Sequence, residues 1–141
     1  MKRLMGFMAA VACLYLVVGC AQQQKKPAPK PQVGLQRIHF DFDRSNIKSE
    51  YEPVLQNNAE WMRQHSKSSV RIEGNCDERG SIEYNIALGD RRANSAKNYL
   101  MNLGIPGSRL TTVSYGEERP LCTQHTESCW WQNRRDDFVS Y

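Results

Sequence analysis

Apolar and polar residues alternate along "RIHFDF", Arg37 to Phe42, which places Ile38, Phe40 and Phe42 on one face of a predicted strand. From Ser49 to about Gln64 the period lengthens to that of a helix with Tyr51, Val54, Leu55, Asn58, Trp61 and Met62 toward its inner side. Ser49 and Glu52 stand at capping-box spacing, and Pro53 is acceptable only near a helix start. "SVRIEG" alternates again, with Val70 and Ile72 inward. A second helix is predicted between the N-cap Ser81 and the stop Gly104. Its stripe is Ile82, Ile86, Gly89, Ala93, Ala96, Leu100 and Leu103 at heptad spacing, and the small central residues would let it sit close to a sheet. "RLTTVSYG" predicts a third strand and, after an irregular loop, "RRDDFVSY" a short last one. The order β-α-β-α-β-β predicts an α/β (α+β) fold, a two-layer sandwich with a mixed sheet and its helices on one face.

The N-terminus follows a different pattern. Lys2 and Arg3 precede an uncharged, mainly apolar run from Leu4 to Val18, too short to span a membrane comfortably and shaped like a secretory signal. It closes on "VVGC", Val17 to Cys20, which resembles the lipobox of bacterial lipoproteins; the alternative is an ordinary signal peptide with an incidental cysteine. The lipobox reading implies cleavage after residue 19 and N-acyl and S-diacylglycerol chains on Cys20, more apolar chain than the single acyl group that binds membranes only marginally. Ala21 stands where an aspartate would retain such a lipoprotein in the inner membrane, so the resemblance implies lipid anchoring in the outer membrane with the domain in the periplasm. Residues 20–34 are polar and proline-dotted, a flexible tether reaching on the order of 40 Å if extended. The expected organisation is therefore signal peptide 1–19, lipidated cysteine and tether 20–34, and one domain with one modest core over 35–141.

Net charge is +4, and losing Lys2 and Arg3 leaves about +2. That charge, without a basic stripe and interleaved aromatics, argues against nucleic acid as a partner. In an oxidising compartment Cys122 and Cys129, in "CTQHTESC", are the natural disulfide, worth roughly 2.5 kcal/mol by chain entropy. The competing reading is zinc with His125 as third ligand, for which no fourth ligand offers itself. Cys76 reads as a small buried hydrophobe.

The segment "GNCDERGSIEYNIALGDRRA", Gly74 to Ala93, carries the candidate chemistry. Arg92 lies one position off the predicted stripe, on the helix flank, with Asn85 two turns earlier on nearly the same side and Asp77 in the glycine-bounded turn before the helix. A guanidinium fork matches a carboxylate and a carboxylate accepts from an ammonium, so the frame suits a zwitterion. The plainer alternative is that Asp77, Glu78, Asp90, Arg91 and Arg92 pair with one another.

This segment, with "VSYGEERP" and "NRR", resembles the peptidoglycan-associated lipoproteins and, more broadly, the C-terminal-like domain family of outer-membrane protein A. The resemblance implies a wall-binding protein and no enzyme, holding outer membrane to peptidoglycan non-covalently through the meso-diaminopimelate of the stem peptide. It also implies a place in the Tol-Pal system of cell-envelope integrity and division, with a TolB-like periplasmic propeller protein as partner, and no cofactor beyond the lipid. Carried over by position, the peptidoglycan-binding residues are Asp77, Arg92, Tyr84, Asn85 and Leu88, with Phe40 and Asp41 lining the groove and Arg134, or else Arg135, adding a carboxylate contact. Arg91 is expected to pair with Asp90 or Glu78. Of Trp130 and Trp131, one is expected in the core and the other is a candidate for stacking on a glycan ring.

The chain departs from the family pattern at Asn75 and Cys76, and at Asp136 and Asp137, where apolar residues are usual; a bulged, frayed or shifted last strand is therefore expected. Two other functions compete with this reading. A hydrolase using Cys76 with His39, or paired carboxylates, lacks a nucleophile motif, and Asp77 beside Cys76 opposes thiolate formation. A structural lipoprotein acting only through protein partners, without wall binding, is the alternative.

Overall fold

In the computed structural model, which describes residues 34–141, the first predicted strand is cut short. The expected signal peptide, Cys20 and the expected tether as far as residue 33 lie outside the described residues. Strand β1 covers Ile38–His39, and Phe40 still donates its N–H to the Arg134 carbonyl at 3.0 Å. The chain then turns away through Asp43, at φ 54, a left-handed conformation uncommon for a residue with a side chain, so Phe42 points outward and not into the core. A 3-10 turn at Ser49–Tyr51 leads into helix α1, Glu52–Gln64, and no side chain caps either start. The capping box does not form because Ser49 is already inside a helical turn, whereas an N-cap needs extended backbone. Helix α1 buries Leu55, Asn58, Ala59 and Met62. Asn58 is tolerated there because its amide exchanges two 2.8 Å hydrogen bonds with the backbone of Gln36.

Strand β2, Val70–Asn75, lies parallel to β3, Leu110–Gly116, and antiparallel to β4, Arg135–Ser140. The sheet order is β1-β4-β2-β3, so the last strand is an inner one. Its register with β2 runs unbroken from Val70↔Ser140 to Gly74↔Asp136, and the irregularity in this sheet falls between β2 and β3 at Gly74/Asn75. The expected bulge or slip of the last strand is thus absent, because pairing on both sides pins it. Helices α1 and α2, Ile82–Asn102, cover the face bearing Ile38, Val70, Ile72, Leu110 and Phe138. The result is the mixed α/β sandwich expected from the pattern. Among the described residues no helix is long and apolar enough to cross a membrane.

Helix α2 starts as its sequence predicts. Ser81 accepts from the Tyr84 N–H at 3.1 Å. It ends in a Schellman turn: Gly104, at φ 89, donates to Met101 and Ile105 donates to Leu100. Gly89, Ala93, Ala96 and Leu100 face the core, as the stripe requires. Ile82 and Ile86 do not; Gly116, the last residue of β3, already lies against Asn85 and Ile86, so the turn before them projects past the sheet. Asn85, Leu88 and Arg92 are buried instead, which widens the covered arc on one side of the helix. The loop after β3 holds a short third helix, α3, Glu127–Asn133, that the pattern did not predict.

One buried group is at odds with its surroundings. Asp136 has no exposed surface, and neither carboxylate oxygen has a hydrogen-bond partner. Burial pushes its carboxyl well above the ordinary 3.8, against the pull of Arg92 and Arg135 and with Asp137 adding to the rise. Because the folded value lies above the unfolded one, stabilisation is fully present only below the unfolded value and is lost as pH rises toward the folded one. Asp136→Val should therefore raise stability at pH 7 by about 2 kcal/mol and remove that decline. Urea titrations at pH 4 and pH 7 check this; a variant less stable than wild type at pH 7 would show that Asp136 has a partner worth keeping.

Candidate functional site

Three segments meet beyond the ends of β2 and β4. The first is Cys76 to Gly80, running from β2 into α2; the second is the Phe42–Asp43 turn; the third is Arg134, the residue before β4. The first is set by a backbone contact between the elements it joins, since Gly74 in β2 and Gly89 in α2 leave no room for a side chain between them. That contact sets the N-terminal half of α2 down on the strand end, so Asn85, Leu88 and Arg92 face Asp77. The open cavity they enclose measures about 210 Å³.

Asp77 is buried at its centre. Arg79 grips it with Nε at 3.1 Å and Nη2 at 2.7 Å, and Arg134 adds Nη1 at 3.2 Å. Burial pushes the Asp77 carboxyl up, but the hydrogen bonds from Arg79 and Arg134 outweigh it and hold the group below its ordinary value. Asn85 fastens the turn, its amide donating to the carbonyls of Asp77 and Arg79 and to the Glu117 carboxylate. Tyr84 is half exposed at the rim, its hydroxyl donating to Asp43, and Leu88 supplies an apolar wall.

Arg92 is placed differently from its sequence expectation. It is not on an open flank: it is 1% exposed and is the largest fully buried side chain. Its guanidinium donates to the carbonyls of Arg44 (2.8 Å), Asn75 (2.8 Å) and Asp41 (3.1 Å), with Phe40 beneath it at 5.0 Å. These bonds pull the 41–44 segment out of the sheet, which is why β1 is short. One edge of Arg92 still lines the cavity. Burial lowers its pKa, with Cys76, Asp136 and Asp77 opposing.

Asp77, Tyr84, Asn85, Leu88, Arg92 and Arg134 thus share one cavity. Phe40 and Asp41 do not line it: Phe40 is in the core, and the Asp41 carboxylate pairs outward with Lys48 at 3.0 Å. Phe42 and Asp43 take their place, two residues on, because the turn reverses which side chains face the cavity. Arg135 is drawn to Asp137 and to the Arg119 carbonyl. Arg91 stands over the Tyr84 ring, while Glu78 binds Trp130 and His125, so neither the expected Arg91 pair nor the pairing of Asp77, Glu78, Asp90, Arg91 and Arg92 with one another forms; the pair inside this segment is Asp77 with Arg79.

Arg79 and Glu127 are not among the residues the sequence points to, and Trp130, a candidate there for the core or for glycan stacking, instead packs on Arg79. The only local signal for Arg79 is its place between Asp77 and Gly80; its lining partners are distant in sequence. Its guanidinium lies between the rings of Phe42 (3.9 Å) and Trp130 (4.2 Å). Neither tryptophan is a core residue, for Trp131 stacks on His39 at 4.2 Å and remains exposed. Cys122 and Cys129 are joined in a disulfide, which spends the two sulfurs the zinc alternative required. Asn133 ties the same loop down through Leu121 and Cys122. Cys76 is buried, its thiol donating to the Asn85 carbonyl, and burial pushes it up to about 11.

The chain and its fold have known counterparts. Residues 39–134 match the model of the OmpA family. The chain is 37% identical over 137 residues to the peptidoglycan-associated lipoprotein of Brucella melitensis, covering 84% of this chain and 82% of that one. It is 36% identical to that of Pasteurella multocida, covering 96% and 97%. The crystal structure of the peptidoglycan-associated lipoprotein from Burkholderia pseudomallei superposes with a TM-score of 0.73 at 39% identity, over 74% of this chain and 89% of that one. The OmpA-like domain of FopA1 from Francisella tularensis, at 18% identity, a TM-score of 0.64 and coverage of 74% and 70%, shares the fold. The chain belongs to the OmpA family, among the peptidoglycan-associated lipoproteins.

Proposed function

We propose that this protein binds peptidoglycan without covalent attachment, through the side-chain amino-acid centre of meso-diaminopimelate, and so tethers the outer membrane to the cell wall. The observation that carries the reading is a cavity holding one buried carboxylate, Asp77, ringed by the guanidinium groups of Arg79, Arg134 and Arg92 and walled by Leu88 and Phe42. A ligand that satisfies it carries an ammonium, a carboxylate and a short aliphatic stem. The names of the relatives supply the wall. Cys20, acylated at nitrogen and sulfur, is the anchor in this reading, with the periplasm as the compartment of the domain. Participation in the Tol-Pal system, with a TolB-like propeller protein as partner, follows from the family resemblance and belongs to the same proposal.

The reading is of a binding protein, not an enzyme. With its thiol buried and raised to about 11, Cys76 stays protonated at neutral pH and makes a poor nucleophile. Calorimetry on the full-length chain in mild detergent tests the ligand. A diaminopimelate-containing muropeptide should bind at least about tenfold more tightly than its lysine-containing counterpart, the value of one charge-assisted hydrogen bond. Asp77→Asn should weaken binding by a similar factor or more while the far-ultraviolet circular dichroism is retained. A folded wild-type chain that binds neither muropeptide would sink the assignment.

A further inference from the structure

Asp77, the group that should receive the ligand's ammonium, has no lone pair to spare. Its Oδ1 accepts from the Arg79 backbone N–H at 3.0 Å and from Nε at 3.1 Å; Oδ2 accepts from Arg79 Nη2 at 2.7 Å and from Arg134 Nη1 at 3.2 Å. A carboxylate offers about four such positions, and all are taken. An ammonium can therefore reach Asp77 only if a guanidinium leaves.

Arg134 is not the one to leave. Its side chain is 5% exposed, its Nε is committed to the Phe40 carbonyl and its Nη2 to Glu127. Arg79 is better placed. Its side chain is 29% exposed, and its guanidinium makes no hydrogen bond except to Asp77, with the exposed Glu127 carboxylate 3.6 Å from Nη2 as a second, longer ion pair. The Phe42 and Trp130 rings hold it by their faces, a contact that imposes little direction in the ring plane and allows the planar group to slide outward. Gly80, next in the chain at φ 119, supplies backbone freedom beside it.

We propose that Arg79 is an internal counter-ion filling the ammonium subsite of the free protein, and that binding exchanges charges: the ligand's ammonium replaces Arg79 on Asp77, and the released guanidinium pairs with the ligand's own carboxylate. This rests on the wall-ligand reading above and adds to it a cause of selectivity. A zwitterion leaves every charge partnered after the exchange. An amine without the carboxylate takes Asp77 and leaves Arg79 only the exposed Glu127, 3.6 Å away, so it is rejected although its ammonium is the same. Arg92 does not serve as that carboxylate fork, because most of its N–H groups are already bound to backbone carbonyls.

The test compares full-length wild type, Arg79→Gln and Arg79→Lys, each first shown by urea titration to be folded, for calorimetric binding of the diaminopimelate- and lysine-containing muropeptides. Arg79→Gln should bind the lysine form at least tenfold more tightly than wild type does, and the preference for diaminopimelate should shrink at least tenfold. Arg79→Lys, which keeps the charge but not the fork, should fall between them. In wild type, diaminopimelate binding should also change tryptophan fluorescence, with the change lost in Trp130→Phe. If wild type selects diaminopimelate but Arg79→Gln weakens both ligands equally, the exchange is overturned and the wall reading stands. If folded wild type binds neither, both fall.

Discussion

Arg92→Ala is expected to cost the domain much of its stability. The side chain is 1% exposed and satisfies the carbonyls of Asp41, Arg44 and Asn75. Truncation would take this donor from the Arg44 and Asn75 carbonyls in a place water reaches poorly, at about 1–3 kcal/mol each, and leave Asp41 with the Arg44 N–H at 3.3 Å. Removing a buried cation with no carboxylate in contact recovers part of that loss, while the cavity left over Phe40 adds to it. A net loss of roughly 5 kcal/mol is comparable with the whole stability of a small domain. Urea unfolding reads it directly, and amide exchange in the 41–44 segment should rise first because Arg92 donates to the carbonyls at both ends of that segment. A variant within about 0.5 kcal/mol of wild type would mean that these hydrogen bonds carry no net weight. Loss of ligand binding in Arg92→Ala would therefore not by itself identify a ligand contact; Asp77→Asn and Arg79→Gln are the informative variants.

Gly74→Ala should be nearly as damaging, for a purely steric reason. A Cβ at Gly74 would stand 1.9 Å from the carbonyl oxygen of Gly89 and 2.6 Å from its carbon, both backbone atoms that no rotamer change can move. Helix α2 would have to rise off the sheet, and overpacking of this kind costs about 3 kcal/mol or more. The same shift would carry Asn85 and Leu88 away from Asp77, so ligand affinity should fall with stability. Gly107→Ala is the matched control: its Cβ would meet only the flexible end of Met101, at 3.3 Å, and should change stability by about 0.5 kcal/mol or less. Equal effects from the two substitutions would mean that the close approach of α2 to β2 is not what the fold depends on.

Both results bear on what can be read from a linear chain. The Ser81 cap, the Gly104 stop and the small residues of α2 act within a few residues of themselves, so their roles were visible in the order of residues alone. The same holds for Asp77 and Asn85, which lie in one turn and the first half of one helix, while Tyr84 and Leu88 beside them entered by the family resemblance; all four reach a common cavity through local geometry. The family pattern added Arg134, far along the chain, by resemblance. Periodicity also gives the element order, α3 excepted, and most of the core, because a strand or helix must present one apolar face whatever it packs against.

What the sequence determined by itself, then, is each element's type, its apolar face and the local half of the site. The tertiary structure alone decided which elements are neighbours and which polar groups are captured between them. It made β4 an inner strand, so Asp136 is buried without a partner where the pattern suggested a frayed edge. It sealed Arg92 under the 41–44 segment, putting Phe42 and Asp43 at the cavity in place of Phe40 and Asp41. It also folded Trp130 back onto Arg79, some fifty residues earlier, and closed Asp77 from solvent. The physical reason is the same throughout. Propensity, capping and periodicity are short-range, whereas the burial and pairing of a charge depend on groups brought close only when the sheet and helices have packed.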